Sequence, residues 1–185
     1  LAEALAAEWD LSRRDDMVVQ SSGSLSHVYW NITPRPMDLG EVALLYPTLL
    51  EALVQHEGIG LVVGREGEDV VIASRTGTLW IGPSGRRLKG DDPLASLPEG
   101  GGAAEQVARL ARFPHAGDLI LLGAWDGEQV VSFEEQVATH GGLGGPQDWP
   151  FLAFPQGAGE RLVVHGIENA EEVYTRLVGV YGEYG

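Results

Sequence analysis

DLILLGAW, residues 118–125, is the stretch whose reading decides the fold. A strand with one wet face alternates apolar and polar residues, whereas an unbroken apolar run fits a strand covered on both faces. The run therefore predicts a sheet with layers packed above and below, and a parallel sheet flanked by helices is the usual setting for such a strand.

The segments on either side supply those layers. Residues 103–112 read as a helix leading into the 118–125 strand, and PFLAF, residues 150–154, reads as a further buried strand. Asn169 is placed to cap a closing helix, AEEVYTRLVGVY, with Val173, Leu177 and Val180 on one face. Upstream, residues 17–20 and 25–31 read as strands joined by the turn SSGS, and ITPRPMD as a loop ending at a capping Asp38. Residues 39–56 form the strongest helix pattern, with Leu44, Leu45, Leu49 and Val54 near one face; Pro47, lacking an N–H, should kink or split it. Residues 59–63 and 70–73 read as a hairpin turning over 64–69, TLWIG as another strand, and 82–102 as a long polar loop. Residues 1–9 read as a short alanine- and leucine-rich helix. The expected architecture is α/β with an antiparallel insertion. It is a single lobe over 1–185, with a hairpin-rich part at 17–102 and an α/β part at 103–185.

Composition narrows the function. The 185 residues carry 27 Asp plus Glu against 12 Lys plus Arg, a formal charge of −15. That field repels phosphate backbones and argues against a nucleic-acid partner. With no cysteine, disulfides, thiolate zinc sites and cysteine nucleophiles are all excluded. No apolar run reaches the roughly 18 residues of a membrane span. The opening LAEALAAEWD has no basic region of the kind that begins a signal peptide. The lack of an initiator methionine suggests a segment of a longer protein, with a removed tag as the plain alternative. The segment reads as soluble, either cytoplasmic or attached to a membrane through a region outside it.

Catalytic signatures of the common kinds are missing. No G-x-S-x-G elbow occurs, no nucleophile–base spacing supports a serine hydrolase, and GPSGRRLKGDD departs from a P-loop because glycine follows Lys89. No H-E-x-x-H pair is present. Among the five histidines, His56 ends a helix and suits a cap, His115 lies in a loop, and His165 ends a strand-like run. His27 stands beside Tyr29 and Trp30, where a substrate-facing position and a half-exposed sheet position are both open. Asp126–Gly127 reads as a turn, and Asp118, at the start of its strand, as structural. His140 differs by its neighbours. Gly141, Gly142, Gly144 and Gly145 remove side-chain bulk where a metal, a phosphate or another backbone could approach.

The run AGDLILLGAWDGEQVVSFEEQVATHGGLGGPQDWPFLAFP resembles the C-terminal part of alkaline phosphatase superfamily proteins. It is nearest to the type I phosphodiesterase/nucleotide pyrophosphatase-like branch, some bacterial members of which are attached to membrane segments. The match lies in Ala116-Gly117-Asp118-Leu119 and in His140-Gly141; VVQSSGSLSHVYWN and IENAEEVYTRLVGVY are similar to an insertion start and a closing helix of such proteins. The resemblance implies a partial three-layer sandwich and, in the complete protein, phosphate-ester hydrolysis with two divalent cations, usually zinc. His140 would be one metal ligand, the four glycines would support its loop, and His27 and Trp30 would line a substrate-facing insertion. The family's serine or threonine nucleophile and its D-H-G ligand pair have no counterpart here. The isolated chain is therefore expected to be inactive and to hold no metal tightly. Its expected partners are an N-terminal part of the same protein and, through exposed sheet, a second copy of itself. The alternative is a non-catalytic binding module in which HGGLGGPQ is only a turn.

Overall fold

A computed structural model describes residues 9–13, 16–97, 102–148, 151–153, 165–167 and 169–181. The chain divides into two compact units, Leu1–Asp148 and Trp149–Gly185. The helix expected at the N-terminus falls, apart from Trp9, outside the described residues.

The first unit is built on one seven-stranded sheet in the order β1-β2-β7-β3-β4-β5-β6. The strands are β1 Met17–Ser22, β2 Leu25–Trp30, β3 Ile59–Glu66, β4 Asp69–Ala73, β5 Gly77–Gly82, β6 Gly85–Gly90 and β7 Leu119–Gly123. The decisive run is β7, and all five of its residues are buried. Leu119 and Leu121 face one core, with Val28, Trp30, Met37 and Val42, while Ile120 and Leu122 face another, with Val63, Ile72, Val107 and Ala108. Burying an aliphatic side chain of this size stabilises by roughly 1.5–3 kcal/mol, so both faces reward the unbroken pattern.

The expectation of a parallel sheet is corrected. β7 runs antiparallel to both neighbours, with Leu25 opposite Leu122 and Val63 opposite Ile120. β2 and β3 therefore run in the same direction, joined by a helical crossover, and β7 enters between them from the far side. The sequence pattern reports two-sided burial, which this insertion supplies as well as a parallel ladder would.

The crossover consists of α1, Leu39–Leu45, and α2, Leu49–Gln55, divided at Pro47 as expected. Glu41 closes the start of α1: its carboxylate accepts the Asp38 N–H at 2.9 Å and a two-pronged bond from the Arg35 guanidinium at 2.8 and 2.7 Å. Leu45, Leu49 and Val54 pack on the sheet. Leu44 does not; it is 53% exposed, turned about 200° around α1 from the buried Val42. On the other face lies α3, Ala103–Ala111, burying Ala104, Val107, Ala108 and Ala111.

Two further expectations change. Within the presumed loop 82–102, residues 85–90 form β6, paired with β5 from Gly82↔Gly85 to Gly77↔Gly90. All six β6 residues are exposed, so no hydrophobic period marks the strand. Residues 98–101 of that loop lie outside the described residues. In PFLAF, residues 151–153 belong to no strand, and Phe151 is 88% exposed; Pro150 and Phe154 lie outside the described residues.

In the second unit the described helix is α4, Ala170–Tyr181. Asn169 caps it reciprocally, its side-chain oxygen accepting the Glu172 N–H at 3.0 Å and its amide donating to the Glu172 carboxylate at 3.0 Å. Val173, Leu177 and Val180 are half-buried, as the spacing predicts.

Candidate functional site

The site is best followed from the end of the sheet at which β7 stops. The β1–β2 turn, the start of β3, the β4–β5 turn and the end of β6 share that end. After Trp125 the chain turns at Asp126, whose carboxylate accepts the N–H groups of Glu128 and Gln129 at 2.8 and 2.7 Å. Those two bonds, the Gln129 one first, hold its pKa below the usual value. The chain then crosses back over the strand ends. Val131 N–H donates to the Ala124 carbonyl at 2.9 Å, Phe133 N–H to Gly23 at 2.8 Å, and Ser24 N–H to His140 at 2.9 Å. The Glu134 carboxylate accepts the Gly23 N–H at 2.7 Å and the Gln136 amide at 2.8 Å. Ser132 and Thr139 hydroxyls join 3.3 Å apart beneath the crossing.

Gly23 makes that crossing possible. Its φ of +62° suits the first central position of a two-residue hairpin turn. A Cβ there would also strike the His140 carbonyl oxygen and the Thr139 hydroxyl.

His140 therefore sits on a main chain fixed from several directions. Its imidazole is exposed and makes no hydrogen bond or ion pair among the described residues. The glycines after it have concrete neighbours. A Cβ on Gly144 would lie 2.8 Å from the Trp125 ring, one on Gly145 2.5 Å from it, and one on Gly142 2.9 Å from Ser24 Cβ. The loop closes into a single 3₁₀ turn, Gly145–Asp148, where Gly144 N–H donates to Asp148 at 2.8 Å and the Gln147 amide to the Gly144 carbonyl at 2.9 Å. The close approach implied by the glycine spacing is filled by Trp125 and the β1–β2 turn.

The other residues of the first unit singled out in the sequence stand apart from this loop. His27 and Trp30 occupy positions of opposite parity on β2 and so face opposite sides of the sheet. His27 is half-buried; its Nδ1 accepts the Gly117 N–H at 2.9 Å, its ring stacks on Tyr29, and burial lowers its pKa. Trp30 is 4% exposed and stacks on Tyr46 inside the core. Asp118 is a buried structural acceptor. It takes the N–H groups of Trp30 and Met37 at 2.8 and 2.7 Å, with Arg65 3.7 Å away. Burial raises its pKa against the pull of these donors. His56 ends α2 as expected, but its Nδ1 accepts the Gly58 N–H at 3.0 Å instead of donating to the helix. His115 and His165 are exposed, and their carbonyls accept from Tyr29 and Arg176 respectively.

An open groove of about 810 Å³ lies at the same end of the sheet, bordered by Glu57, Arg75, Asp91, Asp92, Trp125 and Asp126. Among the described residues no group of three or more His, Cys, Asp or Glu side chains is disposed to hold a metal ion. No described helix is long and apolar enough to cross a membrane. Sequence reasoning did not find Trp125, Glu134 or Gly23 as supports of the His140 loop. The pattern offered no signal for them, because their partners lie about twenty or more residues away along the chain. No protein-family model, curated protein or solved structure matches the chain.

Proposed function

We propose that this chain is the C-terminal lobe of a metal-dependent phosphodiesterase- or phosphatase-like hydrolase, in which neutral His140 contributes one ligand to a divalent cation, zinc by the family's habit. The observation that carries the reading is the contrast at residue 140. The main chain is held by the Ser24 bond and by the crossing over Gly23, while the imidazole stays exposed and without a partner among the described residues. The rings of His27 and His56 each accept a backbone N–H, whereas the His140 ring, like those of His115 and His165, is open to solvent and free to take a ligand. The resemblance through AGDL and HG adds the reaction class.

The described residues do not fit a complete centre. A two-metal displacement needs both cations fixed by several ligands, and one imidazole cannot supply them. No catalytic step is assigned to this chain, and the remaining donors and the nucleophile would come from polypeptide outside it. A second reading, a non-catalytic module with a structural HGGLGGPQ turn, draws on the packing of Gly144 and Gly145 against Trp125.

The test is turnover of a chromogenic phosphodiester by the complete protein that contains this chain, with zinc or manganese. The expected result is metal-dependent hydrolysis that falls about a hundredfold or more in His140→Ala, and no turnover by the 185-residue chain alone. Hydrolysis indifferent to His140→Ala would leave the structural-turn reading standing. Robust turnover by the isolated chain would overturn the assignment of the missing donors to outside polypeptide.

A further inference from the structure

The open groove at the end of β7 has a recess behind it. The recess, about 120 Å³, is lined by Leu61, Leu94, Leu97, Leu122, Leu143 and Trp125. Gly60, Pro93, Ser96 and Trp125 border both spaces, so the recess adjoins the groove. A cavity of about 150 Å³ takes a benzene ring, and this smaller one has room for a short alkyl chain. Trp125 stands at the junction, with main chain pressed along its ring. A Cβ on Gly144 would come 2.8 Å from the pyrrole part of the indole, and one on Gly145 2.5 Å from the benzo part. An indole held in this way is a fixed partner for an organic cation.

The mouth of the groove is acidic and lacks a counter-ion. Glu57, Asp91, Asp92 and Asp126 border it, and none of them forms an ion pair among the described residues. Asp92 and Asp126 accept main-chain N–H groups through Oδ1 alone, from Leu94 at 2.9 Å and from Glu128 and Gln129 at 2.8 and 2.7 Å. The Glu57 and Asp91 carboxylates accept no hydrogen bond among the described residues. Arg75, the one cation bordering the groove, donates to the Gln55 carbonyl at 3.3 Å. In a cleft with apolar walls, charge of one sign concentrates its field and draws counter-ions.

We propose that the groove and its recess bind a small organic cation, a primary ammonium carrying a short alkyl chain. The chain lies in the recess beside Leu122 and Leu143, and the ammonium sits at the mouth, between the Trp125 ring and the carboxylates. The two halves select together. Apolar walls alone would take any alkyl group, and surface acid alone would hold any cation. His140 borders neither space, so occupation of the groove leaves that residue untouched.

The test is an NMR titration of the 185-residue chain at low ionic strength with three probes. These are n-pentylammonium, methylammonium, which keeps the charge without the chain, and 1-pentanol, which keeps the chain without the charge. The expected result is binding of n-pentylammonium roughly tenfold or more tighter than either of the others, with shifts at the Trp125 indole N–H and the Leu122 and Leu143 methyls. The double variant Glu57→Gln/Asp91→Asn changes two exposed side chains and should keep the fold by circular dichroism. It should weaken n-pentylammonium roughly tenfold and leave 1-pentanol unchanged. Equal binding of n-pentylammonium and methylammonium would reduce the site to an ion atmosphere around an acidic protein and overturn the proposal. Equal binding of n-pentylammonium and 1-pentanol, indifference to the double variant, or no shift at Trp125 and Leu143 would each overturn it as well.

Discussion

Gly145 and Gly67 both adopt positive φ, +69° and +60°, yet only one of them has something to hit. A Cβ at Gly67 meets nothing within 4 Å, while one at Gly145 would lie 2.5 Å from the Trp125 ring. Gly67→Ala should therefore cost only the left-handed backbone penalty of about 1–2 kcal/mol. Gly145→Ala should cost roughly 1–3 kcal/mol more through overpacking, a difference readable from urea midpoints. His140→Ala, at an exposed imidazole with no partner among the described residues, should stay within about 0.5 kcal/mol of the wild type. Glu41 gives a pH signature. The Arg35 bond first, and the Asp38 N–H after the burial that opposes it, hold its folded pKa below the unfolded value. Its stabilisation is therefore present above the unfolded pKa and lost as pH falls through the folded one. Asp118 has the opposite sign: burial raises its folded pKa, so its contribution declines as pH rises through the window between its unfolded and folded values. Glu41→Gln should cost roughly 1.5–3 kcal/mol at neutral pH and flatten the loss of stability below about pH 5, followed by denaturant titration at stepped pH. Four glycines after one histidine made a close approach legible. They could not name Trp125 as what approaches, since glycine spacing encodes room and not its occupant.

β7 shows what an element-scale pattern reports. Its apolar run announced two covered faces, and the structure has them, but strand direction is set by which neighbours the chain returns between, and composition does not record that. Pro47 was legible because its consequence is local, a missing N–H inside a helical pattern. β6 was hidden because an edge strand with every side chain exposed carries no hydrophobic period. PFLAF misled in the other direction, since an apolar run needs a partner strand to become one. With β7 in the interior of the sheet, third of seven strands and buried on both faces, its Leu119–Gly123 amides should exchange with solvent among the slowest, near the global unfolding free energy, and those of the edge strand β6 far faster. Leu119→Ala, at a fully buried side chain, should cost about 2–5 kcal/mol by denaturant unfolding. Slower exchange at β6 than at β7 would contradict the strand order.

At the scale of the whole molecule, the first unit stacks α1–α2, an antiparallel sheet and α3 into a mixed α/β body. It presents His140 at one end of that sheet, beside strand ends tied down by the crossing segment 131–140. Mixed α/β character was legible from the alternation of helical and strand patterns. The antiparallel order was not, because it depends on β7 returning between β2, about ninety residues earlier in the chain, and β3, about sixty residues earlier. If His140 is a ligand completed from outside, the complete protein should hold about two divalent ions per chain when purified with zinc. The direct measurement is elemental analysis of that protein beside its His140→Ala variant, with circular dichroism to show both folded. The expected result is loss of close to one equivalent of metal in the variant; equal metal content in the two proteins would contradict the account.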